Sequence, residues 1–156
     1  MRRLFTVLFV FCLAAPLSAQ TIQPRDGWTV IGTSKTYDQL VEDVIAATTA
    51  NQMGVVTQAG PTQAAASRGL TIPGNRVIGV FNNDFAVKIL ALSTAAMIEA
   101  PIRFYVTEST DGTATLAFKR PSFVFAPYMD EGGDALRDLA SQLDARFDAI
   151  AQMAVN

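Results

Sequence analysis

The chain has 156 residues, 12 basic against 14 acidic, a formal charge of −2, one cysteine and no histidine. Mild acidity without any Lys/Arg run longer than two residues excludes the basic clusters that nucleic acid or an anionic membrane surface requires. Lack of histidine rules out a Ser-His-Asp triad, and one cysteine supports neither an internal disulfide nor a Cys/His zinc cluster.

The N-terminus has the three parts of an export signal. Arg2 and Arg3 supply the positive start, Leu4 to Leu13 is apolar apart from Thr6, and Pro16-Leu17-Ser18-Ala19 breaks the helix and places a small residue before a cut. Residues 1–19 are therefore expected to leave, with cleavage after Ala19. The apolar run is shorter than the roughly 20 residues that span a bilayer. Cys12, Arg2 and Arg3 leave with it, so ten basic residues face 14 acidic ones and the charge becomes −4. The expected location is the periplasm or the exterior of a bacterium. What remains is long enough to bury about two-thirds of its unfolded surface in one core. Residues 20–27 read as a polar tail and 28–156 as a single domain.

Trp28 to Ser34 is the first predicted strand. Thr36 and Gln39 have the spacing of a capping box. After them Tyr37, Leu40, Val41, Val44, Ile45 and Thr48 form one helical face. Gly54 suits the helix stop. Val55 to Ala59 is a short strand ended by Gly60-Pro61, and Thr62 to Arg68 a brief helix. Arg76 to Phe81 is the most apolar strand and the central one by expectation. Asn82-Asn83-Asp84 caps a helix over Phe85 to Leu92, with a further helical turn expected between Ser93 and Ala100. Ile102 to Glu108 alternates and pairs through Asp111-Gly112 with Thr113 to Lys119 as a hairpin. Pro121 to Tyr128 reads as an aromatic, irregular connection. From Asp134, Leu136, Leu139, Leu143, Phe147, Ile150 and Ala154 make a long helical stripe. The order β-α-β-α-β-α-β-β-α predicts an α+β domain with a mixed or mostly antiparallel sheet and helices on one face.

The order and spacing from Tyr37 to Lys119 resemble the domain-of-unknown-function 302 family, small α+β proteins of bacteria and archaea. The resemblance is carried by Met53-Gly54-Val55, by Gln63 to Leu70, by Arg76 to Asn83 and by Ala100 to Glu108. The family's usual Gly-Asn-Pro after the central strand survives here only at Asn82. The resemblance implies a sheet covered by helices on one face and dimerisation through the sheet. It implies no activity, substrate or catalytic residue, and a fold alone would supply none.

Five residues are candidates for ligand binding: Asn82, Asn83, Lys88, Arg103 and Tyr105. Asn82 and Asn83 stand at a helix start, where free N–H groups can hold an anion. Lys88 lies one turn further on. The plainer role of this stretch is N-capping. Arg103 and Tyr105 alternate with apolar residues and so share one sheet face, from which Arg103 can grip a carboxylate. Their plainer role is an exposed strand face, or an ion pair to Glu99 or Glu108. Asp130-Glu131-Gly132-Gly133-Asp134 gathers oxygen ligands but lacks EF-hand spacing, so no metal is assigned. Phe123, Phe125 and Tyr128, with prolines at 121 and 127, line a ligand pocket or a partner surface, or pack onto the core.

No Gly-x-Ser-x-Gly elbow or Ser-x-x-Lys motif is present, and no catalytic residue or cofactor is assigned. The expected function is a non-catalytic module that binds a small ligand or another protein. Its candidate partners are a second copy of the chain, a small molecule or an envelope protein. The alternatives are a small periplasmic hydrolase or isomerase using carboxylate, Lys or Tyr chemistry near Asn82, and an envelope-assembly subunit.

Overall fold

The computed structural model describes residues 22–156. The export segment, its cleavage point and Cys12 lie outside them. Strand β1 (Trp28–Thr36) runs into helix α1 (Tyr37–Ala50). The helix is started by the Thr36 hydroxyl, which accepts a hydrogen bond from the Gln39 backbone N–H. Only this half of the capping box forms. The Gln39 side chain turns forward and donates to Asp43 Oδ1 at 2.9 Å instead. Helix α1 ends at Ala50, four residues before Gly54. Gln52 takes the left-handed conformation (φ 59°), and its N–H and that of Met53 bond to Thr49 and Thr48, the pattern of a Schellman cap. Gly54 is thereby freed to open the next strand.

That strand, β2 (Gly54–Ala59), is followed by α2 (Thr62–Ala66), β3 (Asn75–Phe81) and α3 (Asn83–Leu92). The further helical turn expected between Ser93 and Ala100 is a 3₁₀ turn over Ala95–Glu99, before β4 (Ile102–Glu108) and β5 (Thr113–Lys119). Pro121 then starts α4 (Pro121–Phe125) where the sequence predicts an irregular connection. A proline is tolerated at this first helical position because its missing N–H would have no partner there. A final helix, α5 (Met129–Val155), is broken at Gly133, and the long stripe predicted from Asp134 forms its second part.

The sheet order is β1-β5-β4-β3-β2, with every neighbouring pair antiparallel. Four antiparallel steps leave the two edge strands parallel to each other. Helix α1 carries the chain from one edge to the other across the sheet, as a parallel connection requires. The stripes of α1 and α5 bury against one sheet face. Leu40, Val44, Phe104, Leu116, Leu136 and Phe147 are all fully buried there. Phe147 of α5 stacks on Phe104 at 4.7 Å and tilts against Phe118 at 5.6 Å, while the two sheet phenylalanines meet edge to face at 5.2 Å.

Polar contacts fix the helices laterally. Arg120 bridges Asp144 and Asp148 of α5, each at 3.2 Å. Asp144 also accepts from the Ser122 N–H and hydroxyl, so α5 supplies the cap that α4 lacks in its own sequence. At the other end, Lys35 Nζ lies 2.8 Å from Asp43 and 2.8 Å from the Ala154 carbonyl in the last turn of α5. The hydrogen bond from Lys35 holds the Asp43 carboxyl below its ordinary value of 3.8. A depressed carboxylate contributes stability that is present above 3.8 and lost as pH falls through the folded value. The pair is part-exposed, which limits its worth to about 1 kcal/mol or less. Urea midpoints should therefore show Asp43→Asn less stable than the parent near neutral pH, with the difference closing below pH 3.8. A difference that persists unchanged in acid would contradict this account.

Candidate functional site

Burying Phe104 and Phe118 on the helical side has a geometric consequence. Side chains alternate along a strand, so their neighbours Arg103, Tyr105 and Lys119 face the other side of the sheet. Among the described residues, no helix crosses the centre of that side. A cavity of about 460 Å³ lies on it, lined by Trp28, Asn75, Val77, Glu99, Ile102, Arg103, Tyr105, Phe118, Lys119 and Val124. This volume is in the range of about 300–1,000 Å³ usual for small-molecule sites.

One wall is Trp28, held at the start of β1 by the preceding turn. Gly27 has φ 73°, and the Phe123 ring occupies the space a Cβ would need, so only glycine fits. Two cations stand over the indole, Arg25 at 5.1 Å and Lys119 at 5.7 Å, attracted by the negative ring face. On the floor, Gly79 pairs with Arg103, and a Cβ there would meet the Thr57 hydroxyl and the Pro101 ring. The Asn75 amide donates to the Tyr105 hydroxyl oxygen. The phenolic proton is then available to an acceptor in the cavity. Arg103 is exposed and makes no hydrogen bond or ion pair among the described residues. Neither carboxylate expected to pair with it does so. Glu108 accepts from the Gly74 N–H at 2.6 Å, and Glu99 accepts from the Tyr128 hydroxyl at 2.8 Å. That bond to a carboxylate raises the Tyr128 pKa, because ionising the phenol would place two anions together.

The five candidate residues are not brought to one place. Arg103 and Tyr105 line the sheet-face cavity, whereas Asn82 borders a separate apolar crevice with Met53, Phe85 and Phe147. Asn82 is the N-cap of α3. Its side-chain oxygen accepts from the Asp84 and Phe85 N–H groups, and its amide donates to the Gln52 carbonyl. Asn83 and Lys88 are exposed on α3 and line neither space. Trp28, Asn75, Glu99 and Lys119 line the same cavity as Arg103 and Tyr105. They come from separate elements, and no spacing in the chain connects them. The sequence signal for Lys119 is the strand alternation that also marks Arg103. The acidic loop is dispersed as well: Glu131 accepts from the Ser93 hydroxyl and Asp134 pairs with Arg137 at 3.4 Å. Among the described residues, no three Asp, Glu, Cys or His side chains cluster as a metal site would need. Phe125 is core, while Phe123 is 46% exposed.

The family model described as "Domain of unknown function DUF302" matches residues 29–154. The chain belongs to this family. The match takes in β1 after Trp28 and α5 up to Ala154, well beyond the segment from Tyr37 to Lys119. A crystal structure of an uncharacterized conserved DUF302 protein from Bacillus stearothermophilus is similar, with a TM-score of 0.73 and 17% sequence identity. The alignment covers 85% of this chain and all of that one. At that identity the likeness concerns the fold alone. No curated protein matches the chain.

In this DUF302 domain, then, the central sheet face offers an unpaired guanidinium, a phenolic O–H, an ammonium over an indole, and apolar walls. Such a set can hold an anionic group and shield an apolar body from water. Asn82 stands apart from that chemistry. Asn82→Ala should cost about 1 kcal/mol of stability in a denaturant titration, the usual effect of losing an N-cap. Ligand affinity at the sheet face should stay unchanged, and a variant of full stability would remove the capping assignment.

Proposed function

We propose that this chain is an exported, non-catalytic module that binds a small molecule on the open face of its sheet. The ligand has an acidic group, taken by Arg103 and Tyr105, and an apolar body lying along Trp28, Val77 and Val124. The observation that carries this reading is the unpaired Arg103 inside a cavity of small-molecule size. An exposed arginine on a flat surface would be unremarkable, but here it shares a concave wall with a half-buried tryptophan and a tyrosine hydroxyl aligned by Asn75. Export rests on the charge and hydropathy of residues 1–19.

Isothermal calorimetry with 3-phenylpropionate tests the site. The parent should bind it. Arg103→Ala should weaken binding about tenfold or more, since a hydrogen bond to a charged group is worth about 1.5–3 kcal/mol. Its melting temperature should hold, because Arg103 is exposed and packs no core. Equal binding by parent and variant would overturn the assignment. In cell fractionation the bacterial chain should be recovered outside the cytoplasm, trimmed near Ala19; recovery of the intact chain in the cytoplasm would refute export.

A further inference from the structure

The sheet-face cavity contains one group that a simple anion would not welcome. Glu99 closes the 3₁₀ turn Ala95–Glu99 and lines the cavity along with Arg103 and Lys119. It forms no ion pair with either, nor with any other cation among the described residues. The Tyr128 hydroxyl donates to Oε1 at 2.8 Å and so fixes the direction of the carboxylate, leaving Oε2 without a donor among the described residues. A second hollow, of about 300 Å³, shares Glu99, Lys119 and Val124 with the first and continues toward Pro127. Thus two cations without an ion pair among the described residues, Arg103 and Lys119 (the latter over the Trp28 indole), and one such anion, Glu99, share one concave surface with apolar side chains around them. A ligand with only a carboxylate satisfies Arg103 but leaves Glu99 without a counter-charge. A ligand with only an ammonium has the reverse difficulty. Charge complementarity favours a molecule carrying both.

Building on the small-molecule reading above, we propose that the ligand is a zwitterion, a free α-amino acid with an apolar or aromatic side chain. Its carboxylate is held by Arg103 and the Tyr105 O–H, and its ammonium by Glu99. Its side chain packs on the apolar wall that includes Trp28. Glu99 is a specificity-determining residue in this arrangement, and Tyr128 positions it.

Calorimetry on the full chain with three related probes separates the possibilities: phenylalanine, 3-phenylpropionate, which lacks the ammonium, and phenethylamine, which lacks the carboxylate. Phenylalanine should bind about tenfold or more tighter than either, the factor that 1.4 kcal/mol corresponds to. Glu99→Gln should bring phenylalanine down to the affinity of 3-phenylpropionate and should not weaken 3-phenylpropionate. Tyr128→Phe keeps the carboxylate but frees it, so it should produce a smaller loss confined to phenylalanine. Should 3-phenylpropionate match phenylalanine, or Glu99→Gln bind phenylalanine like the parent, the zwitterion is wrong. The carboxylate site itself still stands in that event, provided Arg103→Ala weakens binding about tenfold or more. Absence of binding by all three probes would overturn both readings together.

Discussion

The packing of Phe147 against Phe104 and Phe118 governs both sides of this molecule. All three rings are essentially fully buried, and each is linked to the other two within 5.6 Å. Losing a buried phenylalanine to alanine costs about 3–5 kcal/mol, a large share of the roughly 5–15 kcal/mol by which domains are stable. On the helical side the cluster seats α5 over β4, the central strand, and its neighbour β5. On the other side it dictates, through strand alternation, that Arg103, Tyr105 and Lys119 point outward. The candidate site is the reverse face of the core.

Helix α5, once seated, organises the remainder. Its Asp144 and Asp148 hold Arg120 at the end of β5, and Asp144 caps α4 through Ser122. A stretch rich in proline and aromatics thereby becomes a short helix with a defined inner and outer side. Phe125 goes to the core, Val124 to the cavity rim, and Phe123 against Gly27, beside Trp28. The charge pattern around the site follows from the same arrangement. Tyr128, just beyond α4, reaches Glu99 and holds its carboxylate at the cavity, while Glu108 is drawn off to the Gly74 N–H. Arg103 therefore keeps its guanidinium available.

Most of the elements were legible in the chain because their signals are local. The stripes of α1 and α5, the alternation of β4 and the Asp111-Gly112 turn each lie within a few residues. The misplacements have physical reasons. Gln52 accepts the left-handed conformation at the end of α1 because the Schellman bonds and the burial of Met53 compensate it, so no glycine was required there. The α4 segment lacks its own cap and becomes helical only because Asp144, 22 residues further on, supplies one. Of the site, Arg103 and Tyr105 were readable from alternation. Asn82 shows the weakness of the same approach, since a residue that can cap a helix and a residue that can bind an anion look identical in sequence.

By itself the sequence determined that this is a single α+β domain of the DUF302 kind, with a heavily apolar core and without the histidines, the cysteine pairs or the basic clusters on which many chemistries depend. Those properties depend on composition and on short-range periodicity, which need no knowledge of the fold. Only the tertiary structure decided that the sheet is wholly antiparallel with β1 and β2 at its edges, and that Trp28, Asn75, Glu99, Arg103, Tyr105 and Lys119 share one surface. These residues are spread over 92 positions of the chain, from 28 to 119. What joins them is strand pairing and the burial of three phenylalanines on the opposite face, and long-range pairing of that kind leaves no local mark in a sequence.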